Sequence, residues 1–181
     1  MINLEKKIAQ NTLNLLRNKS WSALTLNEVL KGFKNKKINF KSKSDLLKNI
    51  NRYVDDQLIK KMKSIENSST KDMLFEVLMA RFDILQLNRI SFLQIYIGLK
   101  KNPPIFISLI PSFLESMIIT AELSNYNVNG VKGAIRLKGL MLMYFVTFFQ
   151  WVDDNSPSLE KTMTGLDKNL DQAEKIIKLF S

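Results

Sequence analysis

Residues 25–47, TLNEVLKGFKNKKINFKSKSDLL, decide how the rest of this chain is read. Thr25 and Glu28 stand at capping-box spacing, in which the hydroxyl accepts a free N–H of the first helical turn and the carboxylate reaches back to the N-cap N–H. The spacing predicts a helix from Leu26 to about Gly32, where a residue without Cβ and a Lys/Asn cluster weaken continuation. Ser42 and Asp45 repeat the pattern and open a second helix at Lys43, with Leu46, Leu47 and Ile50 on one apolar face. Between the caps lie Lys31, Lys34, Lys36, Lys37 and Lys41, interrupted by Phe33, Ile38 and Phe40. A short helix, a basic turn with apolar anchors and a following helix make a helix-turn-helix pattern.

The charge distribution supports that reading. Residues 1–63 contain 15 Lys and Arg against 5 Asp and Glu, a net +10, whereas residues 64–181 contain 12 of each. A Lys-rich codon bias would act on the whole gene, so a neutral remainder leaves it an incomplete explanation. A basic third of this kind meets a polyanion, either nucleic acid or an anionic membrane surface. Lysines suit phosphate as point charges on flexible stems, and Asn35 and Asn39 can bond base edges or phosphates. The candidate DNA-binding residues are Thr25, Lys34, Asn35, Lys36, Lys37, Asn39, Lys41 and Lys43.

At 181 residues, with 45% hydrophobic residues, six Gly and four Pro, the chain fits a helix-rich globule of one domain or two smaller units. Cysteine and histidine are absent, which excludes disulfides, thiol nucleophiles, Cys/His metal sites and imidazole acid–base chemistry. Asp55-Asp56 and Asp153-Asp154 are the paired acids. Adjacent helical residues diverge by about 100°, and the second pair falls where it can favour the next helix N-terminus, so neither suits catalysis or metal binding. The reading is a protein that is not an enzyme and uses no cofactor or metal. The N-terminus has no apolar core behind its lysines, and the longest apolar run, Gly139 to Phe149, is 11 residues. Both observations point to a cytoplasmic protein with no integral membrane segment.

Periodicity places a first helix at Leu4–Arg17, with Trp21 and Leu24 pinning it to the next, and a rod at Lys43–Glu66 carrying Leu47, Ile50, Val54, Leu58 and Met62 on one face. The polar Asn67-Ser68-Ser69-Thr70 marks a boundary. Further helices are predicted at Lys71–Leu87, Arg89–Lys100, Pro104–Leu123 with a kink near Pro111, Val128–Trp151, and Pro157–Phe180 with Ser156 as N-cap and Pro157 at the first position. The last places Leu159, Met163, Leu166, Leu170, Ala173 and Ile177 on one seam, shared either within the chain or across a dimer axis. The helix before it is apolar nearly all round from Leu140 to Phe149, which predicts burial on every side. Large apolar side chains among these helices suit a pocket for a greasy ligand, with Phe82, Phe92, Tyr96, Phe106, Phe113, Met117, Met141, Tyr144 and Phe148 as its candidate lining.

The head resembles the TetR/AcrR helix-turn-helix regulators. In that family a Thr opens the second helix, as Thr25 does, followed by Glu and an aliphatic residue, as Glu28 and Val29. An aromatic residue, Ser-Lys and a Leu pair then lead into the next long helix, as Phe40, Ser42-Lys43 and Leu46-Leu47. From Val29 to Phe40 is 11 steps, about one helical turn of ~3.6 residues less than the usual interval, and the shortening falls on the groove-reading helix. The resemblance implies an all-α fold with a three-helix head at 1–48 and a ligand-binding, dimerising helical domain at 49–181. It further implies a homodimer through the last two helices and a ligand-responsive DNA-binding regulator. A second segment, Trp151-Val-Asp153-Asp154-Asn-Ser156-Pro157 with Thr162 and Leu166-Asp167, is similar to the end of the lipid-binding accessory proteins of ubiquinone biosynthesis. That similarity implies the alternative of a TetR-like protein that holds isoprenoid lipid and does not read DNA.

Overall fold

The computed structural model describes residues 3–33, 39–63 and 68–179. Every regular element among them is helical: α1 (Asn3–Leu15), α2 (Leu26–Leu30) running into a 3-10 turn (Lys31–Phe33), α3 (Lys43–Met62), α4 (Thr70–Gln86), α5 (Arg89–Lys100), α6 (Pro103–Ser108), α7 (Ile110–Leu123), α8 (Gly130–Val152) and α9 (Glu160–Leu179).

The chain divides into two compact units, one formed by residues 1–57 with 84–113 and the other by 58–83 with 114–181. Each is discontinuous, because α3, α4 and α7 contribute to both, whereas the sequence reading divides the chain once, near residue 48.

In unit 1, α1 buries Ile8, Ala9, Thr12 and Leu13 and packs on α2 and α5. Polar ties fix it: the Ser91 hydroxyl donates to the Leu13 carbonyl at 2.6 Å, Asn49 Nδ2 to the Glu5 carbonyl at 2.9 Å, and Asn11 Nδ2 to the Val29 carbonyl at 2.8 Å. Trp21 and Leu24 are buried in the link after α1, as their apolar character in a polar stretch predicts. A Cβ on Gly98 of α5 would lie 2.3 Å from Trp21 Cδ1, so glycine is what lets the indole lie against that helix. Asn51 Nδ2 bonds both the carbonyl and the hydroxyl of Ser112 at 3.0 Å.

Unit 2 is built on α8 and α9, which pack along one another. Leu140, Tyr144, Thr147 and Trp151 of α8 are buried, as are Leu159, Leu166 and Leu170 on the α9 side. The seam is therefore shared mainly within the chain, with Met163 left exposed. A Cβ on Gly165 would meet Gln150 Oε1 at 2.0 Å, which records how closely the two helices approach.

Two expectations are corrected. Pro104–Leu123 is not one kinked helix: α6 ends at Ser108 with Leu109 as its C-cap, and α7 begins at Ile110, placing Pro111 in a first turn, where a missing N–H breaks no intrahelical bond. The last helix does not start at Pro157 but at Glu160, after a turn in which Leu159 takes a left-handed backbone (φ 56°) and buries its side chain. The stretch Pro103–Leu123 is long and apolar enough to cross a membrane, but it is broken at Leu109 and buries Ser112, Ser116, Met117 and Thr120. The polar side chains of α7 include Thr120, whose Oγ1 donates to the Ser116 carbonyl at 3.0 Å within the helix.

Candidate functional site

Both capping boxes form. Thr25 Oγ1 accepts from the Glu28 N–H at 3.3 Å while Glu28 Oε2 accepts from the Thr25 N–H at 3.1 Å. Lys19 bonds the other carboxylate oxygen of Glu28, and with the Thr25 bonds this lowers the Glu28 pKa from 4.5 to about 2. At the second box, Asp45 N–H donates to Ser42 Oγ at 3.2 Å and Asp45 Oδ2 accepts from the Ser42 and Lys41 N–H groups, both at 2.9 Å. Partial burial opposes ionisation of Asp45, but these bonds outweigh it and hold the carboxyl below its ordinary range. The two boxes fix the N-termini of α2 and α3, and the basic residues of the head lie in the sequence between them.

Of the sequence-predicted DNA residues, Lys34, Asn35, Lys36 and Lys37 lie outside the described residues, as does Ile38. Asn39 and Lys41 are exposed on the approach to α3. Thr25 is exposed too, with its hydroxyl engaged in the cap. Lys43 is half-buried: its ammonium donates to the Trp21 carbonyl and lies 4.6 Å from the indole centroid. Burial lowers its pKa, and the cation–π contact ties the start of α3 to the link after α1. Lys43 thus has a structural task as well as its place in the basic series.

The candidate ligand residues divide between the units. In unit 2, Phe82 of α4 is fully buried and stacks on Tyr144 of α8 at 5.6 Å between centroids. Tyr144 meets Phe148 at 6.4 Å, which meets Trp151 at 5.4 Å; Met117 is fully buried and Met141 partly so. In unit 1, Phe106 and Phe113 lie 6.1 Å apart, Phe92 is buried and Tyr96 half-buried. Sequence reasoning missed Arg81, which is 1% exposed with its guanidinium carbon 5.4 Å from the Tyr144 centroid. A lone Arg in an apolar helix, at 81 among Leu78, Met79, Ala80 and Phe82, is the signal that was there to find.

The Trp151–Thr162 segment is a corner between α8 and α9. Asp154 is fully buried, accepting from the Thr162 N–H and hydroxyl at 2.8 Å each, from the Ser156 N–H at 3.0 Å and from the Ser156 hydroxyl at 2.5 Å. Burial opposes its charge, but these donors outweigh that and hold its pKa well below the usual carboxylate range. Ser156 Oγ accepts from the Glu160 N–H at 3.0 Å. Asp154 and Ser156 therefore satisfy the free N–H groups of α9.

A chain whose regular elements among the described residues are all helical, with capping boxes opening α2 and α3 and a closing helix pair, has a solved counterpart. The TetR transcriptional regulator from Nitrosomonas europaea ATCC 19718 matches it with a TM-score of 0.74 over 96% of this chain and 99% of that one, at 18% sequence identity. The fold is TetR-like. No protein-family model and no curated protein matches the sequence. At 18% identity the TetR-like match speaks for the fold, and function has to be argued from this chain's own residues.

α8 adds one feature to this TetR-like frame. Val131, Ile135, Leu142, Val146 and Phe149 recur along a single side of the helix and stay exposed, Val131 by 84%, Ile135 by 69% and Leu142 by 65%. Gly139 lies in the same stripe with nothing within 4 Å of an added Cβ. The expectation that the Leu140–Phe149 region is buried on every side is thus met on one side only within a single chain.

Proposed function

We propose that this protein is a TetR-type, ligand-responsive DNA-binding regulator that acts as a homodimer. The observation carrying the reading is the pair of capping boxes that frame the basic turn in the unit holding all the net charge. Residues 1–57 and 84–113 contain 15 Lys and Arg against 5 Asp and Glu, whereas the other unit has 12 of each. Lys34, Asn35, Lys36, Lys37, Asn39 and Lys41 supply phosphate and base-edge contacts, and Thr25 places the N-terminus of α2. The α8 stripe, with Gly139 at its centre, suits close packing on a second copy, so dimerisation proceeds through α8 and α9. The dimer then presents two heads to half-sites about 34–36 Å apart.

The effector is apolar or lipid-like; the large side chains of unit 2, Phe82, Tyr144, Phe148, Met117 and Met141, are one candidate set for holding it, and Phe92, Tyr96, Phe106 and Phe113 of unit 1 are a separate one. Helix α3 is continuous from Lys43, just after the second capping box, to Met62, and is the element along which an effector's influence on the head is proposed to travel.

The test is titration with the DNA upstream of the protein's own gene. Sequence-selective binding is expected, with a slope of roughly −4 to −5 in log K against log salt for five phosphate contacts. Lys36→Ala and Lys37→Ala should each weaken it and flatten that slope by about 1. A protein that ignores this DNA while retaining an isoprenoid or fatty chain through purification would favour the lipid-accessory alternative.

A further inference from the structure

Away from the basic turn and α8, the surface of unit 1 carries a second apolar stripe. Helix α5 turns Ser91, Phe92 and Ile95 inward. On its other side Ile90 and Ile97 are exposed and, with Gln94, recur at helical spacing on one stripe. Leu87, 76% exposed, lies in the turn before α5. The C-terminal end of that stripe is the basic pair Lys100-Lys101, both exposed. Pro103 and Pro104 then open α6, on which Ile107 is 61% exposed. Between residues 84 and 113 there are three basic residues and no acidic one.

We propose that this α5–α6 surface docks on an anionic lipid bilayer. Aliphatic side chains beside lysines, with acids excluded from the whole segment, match an interface that offers acyl chains just beneath negatively charged headgroups. A nucleic acid would pair the lysines but leave four aliphatic side chains without an apolar partner. A second copy seated face to face would bring two units of net charge +10 together, with no acid in either facing segment to compensate. The α8 stripe lies in a unit of zero net charge, so two such units meet without net repulsion although α8 itself carries Lys132, Arg136 and Lys138 and no acid. Leu87, Ile90, Ile97 and Ile107 enter the headgroup region, while Lys100 and Lys101 stay at its level, each strengthening partition roughly fivefold. This goes beyond the regulator reading and stands without it.

The experiment is co-sedimentation of the full chain, at about 0.15 M salt, with vesicles of phosphatidylcholine alone or mixed with phosphatidylglycerol. Partition into the mixed vesicles and little into the neutral ones is expected. The triple variant Ile90→Gln/Ile97→Gln/Ile107→Gln should lower partition by roughly tenfold or more, and Lys100→Glu/Lys101→Glu should lower it comparably. All three positions of the triple variant are exposed, so its circular dichroism melt should stay close to that of the unmodified protein. Wild-type protein that remains in the supernatant overturns the proposal. So does a folded triple variant that partitions like wild type, because the basic turn alone would then hold the vesicle. A triple variant that sediments as a smaller particle in the absence of lipid overturns it as well, since the stripe would belong to a second copy.

Discussion

Unit 1 and unit 2 each leave one apolar helix face open, yet the first carries the entire net charge of +10 and the second carries none. On α5 the face ends in lysines and has no acid in its segment; on α8 it has a glycine at its centre and lies in a unit whose charges balance. Exposed aliphatic area is therefore a poor guide to what covers it. Both segments are locally basic, with three Lys or Arg and no acid on α8 as on α5–α6. What separates them is the net charge of the whole unit, which opposes self-pairing in unit 1 and not in unit 2.

The interior differs as much as the surface. Unit 1 packs α1 on α2 and α5 with Trp21 lying against Gly98, and unit 2 has a helix–helix seam closed at one end by Asp154. If that contrast is right, the largest single-residue effect lies in unit 1. Trp21→Ala removes the packing on Gly98 and the Lys43 cation–π contact together, and should cost about 3–5 kcal/mol in urea unfolding. A loss below about 1 kcal/mol would show that the indole is not the hub its burial implies.

Next in size is the pair Leu142→Glu/Val146→Glu on α8. These residues are exposed in the single chain, so the fold should persist while the dimer dissociation constant rises by about 100-fold or more, measured by analytical ultracentrifugation. Gly139→Trp sharpens the test: its side chain meets open space in one chain and a steric block in a close dimer. A monomer–dimer equilibrium unmoved by either change would remove α8 as the self-pairing face.

Asp154→Ala should cost about 2 kcal/mol, since the buried Thr162 N–H and hydroxyl lose their acceptor. The effect belongs to unit 2 and should leave the basic turn's salt dependence unchanged. Thr25→Ala comes below it, at about 1 kcal/mol for an exposed N-cap, and belongs to unit 1. Thermal melts monitored by circular dichroism measure both.

Much of this was readable because caps and periodicity are local. Thr25/Glu28 and Ser42/Asp45 form the boxes their spacing requires, the α5 limits are those the pattern predicts, and Leu47, Ile50, Val54, Leu58 and Met62 are buried as a set. The misreadings came where distant groups outcompete a local rule. Ser156-Pro157 is a good local start signal, but Asp154, reaching across eight residues to Thr162, sets the start of α9 further on. Gly98 looks like an isolated glycine, and only its neighbour Trp21 shows why no Cβ fits there. The exposed stripes on α5 and α8 escaped notice because a run of apolar residues predicts burial without saying whether the same chain supplies the cover.

The smallest effect is titration of the first capping box, and its sign separates charge from shape. Glu28 has a pKa of about 2 in the folded chain against an ordinary 4.5, lowered first by Lys19 and then by the Thr25 donors. A depressed carboxylate pKa means that the ionised form favours folding. Its contribution is complete above about pH 4.5 and is lost as the pH falls toward 2. Glu28→Gln keeps an oxygen for the Thr25 N–H but removes the charge. The variant should therefore melt below the unmodified protein at pH 7 and converge with it as the pH falls through that window. The carboxylate is exposed, so solvent screening keeps the separation small, and added salt should shrink it further. A separation of constant size from pH 7 to pH 3 would mean that hydrogen-bond geometry alone holds this cap. In that case the cationic character of unit 1 would play no part in building the helix that precedes its basic turn.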